Sequence, residues 1–271
     1  MCIRDSPQDL LRQVIEGFSQ YQGKFEDLIK KGSGVPVSGV RIRPPVPRPN
    51  HIVAMAGNYM EEGTREDEGP INAFHKSSNA IIGSGDSMVL PDVKASIFEG
   101  EAELAMVIGK RATNVRPEDA YDHIFGYLNF IDGSARGLPP EANSFYQMKS
   151  RDTFAPMGPY LVTADEIPDP NNLQVRLWNN GEARHDFPTS DMAHQIPELI
   201  SEISKVTTLE PGDVIATGVN HQQIGAVQDG DTLEMKIENL GPPLVIHIIC
   251  LLYTSDAADD TPCVDLGGRR I

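Results

Sequence analysis

The sequence predicts a β-rich α+β protein with a small helical piece ahead of it. Three observations lead there. The run "TLEMKIE" at residues 232–238 sets Leu233, Met235 and Ile237 against Glu234, Lys236 and Glu238, the two-residue period of a half-buried strand. The run "LQVRLWNNGEARHD" carries Asn180-Gly181 between two strand-like segments, the strongest short hairpin signal. Helical periodicity is scarce: "IPELISEISKV" has the clearest stripe, with Ile196, Leu199, Ile200, Ile203 and Val206 on one face and Pro197 near the start.

Taken in order, residues 7–30 read as helix. Pro7 follows Asp5 and Ser6 at a plausible first helical position, and Leu10, Leu11, Val14, Ile15 and Phe18 keep helical spacing. "GSGVPVSGVRIRPPVPRPN" then ends the helical piece as a Pro/Gly-rich linker reaching residue 49. "HIVAMAG", "SMVLP" and "EAELAMVIG" read as strands, and "RPEDAYDHI" as a short helix. "IFGYLNFID" is a strand with Leu128 and Phe130 on one face and Tyr127, Asn129 and Ile131 on the other. After the hairpin and the helix, "EPGD" at 210–213 is a turn feeding the strand "VIATG". The chain thus divides into 7–49 and a body over 50–249. The ends, 1–6 ("MCIRDS") and 250–271 ("CLLYTSDAADDTPCVDLGGRRI"), resemble translated sequencing-library adapter and are expected to be foreign to that body.

Composition narrows the function classes. The chain has 271 residues, 39 acidic against 23 basic, for a formal net charge of −16. Nucleic acid needs a basic footprint, so it is excluded as a partner. An anionic small substrate requires local cations that reverse the field in its pocket. No apolar run approaches the roughly 20 residues of a membrane span, and "MCIRDSPQDLLRQV" is too polar for a secretory signal. Cysteine occurs only at Cys2, Cys250 and Cys263, so the body needs no disulfide; a cytoplasmic location is expected.

The chemistry-bearing stretch is "FEGEAELAMVIG" at 98–109. Glu99, Glu101 and Glu103 alternate at the mouth of the apolar run Leu104–Ile108. Carboxylates two apart on a strand lie about 7 Å apart at Cβ. With heads about 5 Å apart at an effective dielectric near 20, they repel by roughly 3 kcal/mol. Three arrangements relieve this: heads in water, a basic residue between them, or a divalent cation bridging them. An all-oxygen site suits Mg²⁺, Mn²⁺ or Ca²⁺ over zinc. A third carboxylate, Asp132, ends the strand "YLNFID" and precedes Arg136; Lys149 follows in "MKSRDTF".

"GNY", "EAELAMVIGK", "GYLNFIDGSARG", "KSRDTFAPMGPYLVTADEI" and "LEPGDVIATG" resemble, in sequence and in order, the fumarylacetoacetate hydrolase family over residues about 50–249. The resemblance implies a mixed β-roll or sandwich with a few short helices, typically homodimeric. It implies that Glu101, Glu103 and Asp132 bind a divalent ion, usually Mg²⁺, with Mn²⁺ or Ca²⁺ as alternatives. Lys149 is expected at the developing oxyanion, and Tyr59 and Arg136 on the substrate side. The implied substrate is a small anionic 2-oxo or β-diketo acid. The implied reaction is hydrolysis of a C–C bond in an acylpyruvate or related compound, of the kind met in aromatic catabolism. An isomerase, hydratase or decarboxylase of 2-oxo dicarboxylic acids, or a catalytically silent metal-binding relative, are the alternatives.

The sequence departs from the family pattern after "NY". Many hydrolytic members carry a His–Glu dyad there; here the run is "GNYMEEGTREDEG", with Glu62 at the His position and Arg65 or Glu66 near the partner position. Glu62 is the candidate general base if its pKa is raised; otherwise the acidic run is a solvated lid. Val219 stands where the family often has Thr after "TG", and His221 follows it. "IIGSGDSM" lacks a third Gly and a long helix, the seven histidines lack metal spacing, and no Gly-x-Ser-x-Gly elbow occurs.

Overall fold

The computed structural model describes residues 6–32 and 34–251; the suspected foreign ends lie outside these except for Ser6, Cys250 and Leu251. Ser6 opens helix α1 (Pro7–Glu16) with a reciprocal cap: its hydroxyl accepts from the Asp9 N–H at 3.2 Å, and the Asp9 carboxylate accepts from the Ser6 N–H at 3.1 Å. The helical stretch expected over 7–30 is two helices, because Gly17 ends α1 before α2 (Phe18–Lys31). Gly interrupts a helix at little steric cost and with no side chain to pack. The short helix expected at "RPEDAYDHI" is a 3₁₀ segment, Pro117–His123.

Among the described residues, thirteen strands make up the body. In chain order they are β1 (Ile52–Met55), β2 (Ala73–Lys76), β3 (Ile81–Ile82), β4 (Ser87–Leu90), β5 (Ile97–Ile108) and β6 (Ile124–Arg136). Helix α3 (Phe145–Lys149) follows, then β7 (Ala155–Pro156), β8 (Val162–Thr163), β9 (Gln174–Asn179) and β10 (Glu182–Pro188). Helix α4 (Ile196–Val206) precedes β11 (Val214–Ala216), β12 (Thr232–Ile237) and β13 (Leu244–Cys250). One sheet runs β2-β1-β11-β5-β6-β8, a second β10-β9-β12-β13-β4, and β3 pairs with β7. Both large sheets are mixed: β1 is parallel to β11, and β13 to β4, with the other neighbours antiparallel.

The first sheet is covered on both faces. Leu104, Met106 and Ile131 pack with Leu177, Met235 and Ile246 of the second sheet. Ala105, Val107, Leu128 and Phe130 face the other way, onto a cluster that includes Ile15 of α1 and Val46 of the linker. Two-sided burial explains why Leu104–Ile108 is uniformly apolar and not alternating. The N-terminal piece is thereby part of the core, and the Arg48 N–H donates to Gln8 Oε1 at 2.9 Å.

The hairpin forms as read: Asn180 and Gly181 take φ of 51° and 81° between β9 and β10. Helix α4 spans the residues its stripe predicts. Strand β13 continues through Cys250, which aligns with Leu90 of β4 and donates its N–H to Asp229 Oδ1 at 2.7 Å. Position 250 therefore belongs to the sheet.

Candidate active site

Strands β5 and β6 pair antiparallel along their whole length, and their register builds the site. Glu101 stands directly opposite Asp132, Glu99 opposite Ser134, and Gly100 opposite Gly133. Glu103, two residues from Glu101, shares its face. The two glycines are required by close packing: a Cβ at Gly100 would lie 2.6 Å from Leu233, and one at Gly133 would lie 2.9 Å from Met88 and Phe154. The second sheet thus closes tightly beside the carboxylates.

Oxygens of Glu101, Glu103 and Asp132 come within 4.8 Å of one another, and all three residues are buried. Like charges this close need partners, and the structure supplies several. Lys149, at the end of α3, is 2% exposed and donates to Glu101 Oε1 and Asp132 Oδ2, both at 2.6 Å. Arg136 donates from Nη2 to Glu101 Oε1 at 2.8 Å and from Nε to Glu99 Oε2 at 3.0 Å. The Ser134 hydroxyl donates to Glu101. Lys76, fully buried at the end of β2, donates to Asp132 Oδ1, to the Lys149 carbonyl and to the Gly133 carbonyl.

Burial and charge set the protonation states. Burial opposes the Glu101 carboxylate, but Lys149 and Arg136 outweigh it and bring its pKa down to about 2. For Glu103, burial and then the neighbouring Asp132 and Glu101 all push the same way, well above the carboxylate range. Burial opposes the Lys149 ammonium, yet Asp132 and Glu101 outweigh it and raise its pKa; for Lys76 burial wins and lowers it, although Asp132 touches it.

The donor set fits a hard divalent cation. It is all carboxylate oxygen, and Glu103 has one oxygen, Oε2, accepting from the Gly218 N–H at 2.8 Å while Oε1 is buried with no hydrogen-bond partner. A cation there would satisfy that oxygen and reverse the upward pressure on the Glu103 pKa.

The remaining sequence candidates are placed as follows. Tyr59 is fully buried, edge-on to Phe187 at 5.0 Å between ring centroids. Its hydroxyl lies against Thr217 without a hydrogen bond of ordinary geometry, and burial raises its pKa. Glu62 is exposed, and its carboxylate makes no hydrogen bond or ion pair among the described residues; only its N–H is engaged, on Asp191 Oδ1 at 3.2 Å. Arg65 braces the same loop through the carbonyls of Gly57 and Tyr59. Arg151 forms no ion pair with the triad, and burial lowers its pKa. Val219 is buried.

Sequence reading passed over Lys76, Ser134 and His185. Lys76 had no local signal: the burial of Phe74 and Lys76 on one face of a four-residue strand emerges only from the fold. His185 had none either. It is 2% exposed, its Nδ1 accepts from the Ala102 N–H at 3.3 Å, and its Nε2 is buried without a partner. An open concavity of about 710 Å³ lies elsewhere, around Arg111, Arg116 and His123. Its arginines are already paired with Glu210, Glu118 and Asp119, and it holds no member of the triad.

Comparison with known proteins identifies relatives of this chain and this fold. The family model for the C-terminal region of fumarylacetoacetate (FAA) hydrolase matches residues 48–243. An uncharacterised protein of Pyrococcus horikoshii is 43% identical over 202 residues, 72% of this chain and 86% of the relative. The oxaloacetate tautomerase YisK of Bacillus subtilis is 39% identical over 219 residues, 76% of this chain and 72% of the relative. The maleylpyruvate hydrolase of Sphingobium sp. SYK-6, solved with manganese(II) and pyruvate, superposes with a TM-score of 0.80 at 34% identity, covering 90% of this chain and 88% of that one. A buried carboxylate triad on paired strands, set in a mixed-sheet fold that matches these proteins over most of its length, makes the chain a member of the fumarylacetoacetate hydrolase family.

Proposed function

We propose that the protein is a divalent-metal-dependent enzyme that cleaves a C–C bond in an acylpyruvate or related β-diketo acid. The observation that carries the reading is the buried triad Glu101, Glu103 and Asp132, with Glu103 Oε1 unpartnered and two buried lysines alongside. Glu101, Glu103 and Asp132 hold the cation, Mg²⁺ first and Mn²⁺ or Ca²⁺ as alternatives; when bound it supplies a Lewis acid for the oxygens of a chelating 2-oxo acid. Lys149 then faces the oxygen on which enolate charge grows. A preorganised donor of this kind contributes about 3–4 kcal/mol. Lys76 saturates its donors on Asp132 and two carbonyls, which fixes the Asp132 carboxylate and the end of α3. Arg136, with a side chain 30% exposed, is the cation that a substrate carboxylate can reach from solvent. The unpaired Tyr59 hydroxyl is offered to a substrate oxygen. With a divalent ion bound, it and Lys76, Lys149 and Arg136 would together outweigh the carboxylates of Glu99, Glu101, Glu103 and Asp132 and make a positive pocket in an acidic protein.

The manganese and pyruvate in the maleylpyruvate hydrolase support this reading. A second reading, keto–enol tautomerisation or isomerisation of a 2-oxo dicarboxylic acid, is favoured by one observation: Glu62, at the position of the family's water-activating His, makes no side-chain contact with the triad. The tautomerase YisK supports it too. The two share the same enolate. The test is to incubate the protein with a panel of acylpyruvates and Mg²⁺ or Mn²⁺ and to follow the enol absorbance. Loss of absorbance with release of pyruvate is expected. No loss, together with accelerated keto–enol exchange of oxaloacetate, would hand the site to the second reading.

The small anionic acid as partner, a homodimeric state and a cytoplasmic role in the breakdown of aromatic compounds belong to this proposal. No helix among the described residues is long and apolar enough to cross a membrane.

A further inference from the structure

The proposed chemistry needs a group that moves a proton, and the carboxylate of Glu62, the residue at the expected position, makes no hydrogen bond or ion pair among the described residues. The carboxylate of its neighbour Glu61 does. Glu61 Oε1 lies 3.1 Å from His221 Nδ1, on a different loop. Two further contacts lock those loops together. The Gln222 side chain donates to the Glu61 carbonyl at 2.7 Å, and Asp191 Oδ2 accepts from both the Glu61 N–H and the Asn220 side chain at 3.0 Å.

The lock holds strained backbone. Glu61 and Glu62 take φ of 55° and 54°, a left-handed conformation that side chains rarely adopt. Two such residues in succession persist only where surroundings over-determine them, and such strain collects at functional sites. The Asp191 carboxylate is what over-determines them here, through both N–H groups.

The His221 loop also reaches the triad. Gly218, three residues before His221, donates its N–H to Glu103 Oε2. Three residues of chain span about 10 Å at most. His185, which accepts from the Ala102 N–H, is close enough to feel both Glu101 and His221 electrostatically. No hydrogen-bond partner for His221 Nε2 occurs among the described residues, and the side chain is partly exposed, so that nitrogen is available to a ligand.

We propose that His221, oriented by Glu61, is the proton-transfer residue of this site; the inference rests on the 2-oxo acid reading above. Glu61 is the positioning residue: its carboxylate accepts from Nδ1–H and leaves Nε2 as the base. In hydrolysis Nε2 takes one proton from water. The water oxygen bonds to the distal carbonyl carbon of the acylpyruvate, and that carbonyl's π pair moves onto its oxygen. When the carbonyl re-forms, the C–C bond breaks and its electron pair becomes the pyruvate enolate. The proton on Nε2 returns to the enolate carbon, so that one water and one acylpyruvate give one carboxylic acid and one pyruvate.

The test compares His221→Ala, Glu61→Gln and Glu62→Gln with wild type on acylpyruvate, and measures oxalate binding in the presence of Mn²⁺ by calorimetry. For His221→Ala a loss of about 10²–10⁴-fold in kcat is expected, with oxalate affinity within threefold of wild type and at least tenfold recovery on adding free imidazole. Glu61→Gln should lower kcat with KM unchanged. His221→Ala that keeps kcat within threefold, or Glu62→Gln as the more damaging change, would overturn the assignment of His221 and leave the metal-site reading standing. Wild type that binds no oxalate and turns over no acylpyruvate would overturn that reading, and the inference with it.

Discussion

At the scale of single residues, two side chains allow sharp expectations. Lys149 donates to two members of the triad at once. Lys149→Met is therefore expected to cut turnover by about 10²–10³-fold, the usual effect of removing one preorganised donor. Mn²⁺ affinity should be kept or raised, since a competing positive charge has gone; calorimetry alongside kinetics separates the two. His185 predicts a pH dependence. Burial lowers its pKa to about 4 from an ordinary value near 6.5. Between those values the unfolded chain binds the proton and the folded chain does not, so stability rises with pH across that window. Lowering the pH from 6.5 to 4 costs on the order of 3 kcal/mol from this residue. His185→Gln, which can still accept from the Ala102 N–H, should flatten the acid side of a Tm-against-pH curve. Part of this was open to a reader of the sequence: Glu101 and Glu103 stand at the mouth of an apolar strand and Asp132 at the end of another, whereas the role of Lys149 came only from the family resemblance. Lys76 and His185 were not legible, because their importance comes from register across strands far apart in the chain, and a single residue in a short run carries no record of what faces it.

At the scale of elements, a buried amide helps to tie the strands that build the site to the second sheet. Asn129 of β6 is fully buried; its Nδ2 donates to the Gly158 carbonyl at 3.1 Å and its Oδ1 accepts from the Ile237 N–H of β12 at 2.9 Å. Asn129→Leu leaves both backbone groups unsatisfied inside the protein and is expected to cost about 3 kcal/mol, seen as a lower midpoint in a denaturant titration with no change of slope. Elements with strong local signals were legible: α4 follows from its stripe and Pro197, and the β9–β10 hairpin from Asn180-Gly181. The division of the N-terminal helix at Gly17 was not, since the apolar spacing runs through it and only the non-helical backbone of Gly17, with φ −107° and ψ 18°, reveals the break. The pairing of β1 with β11, about 160 residues apart, was illegible for the same reason as Lys76: local pattern fixes which residues face inward, not which strand lies alongside.

At the scale of the whole molecule, metal binding and association are the measurable properties. Mn²⁺ at 100 times its Kd should stabilise the fold by about 2.7 kcal/mol, raising Tm by about 5–10 °C for a chain of this size. Glu103→Gln should abolish that shift; a shift that survives it would place the cation away from the triad. Light scattering after gel filtration is expected to return twice the 29.7 kDa chain mass, and a monomer would remove the homodimer from the proposal. Finally, Glu101 and Asp132 sit at mid-length of the β5–β6 ladder, whereas Glu61 and His221 sit on loops outside any strand. In deuterated solvent the backbone amides of the triad should therefore label only when the protein opens globally, while those around Glu61 and His221 label by local opening. The cation's anchor and the proton carrier would then run on separate clocks, one set by unfolding and the other free to breathe with each substrate that arrives.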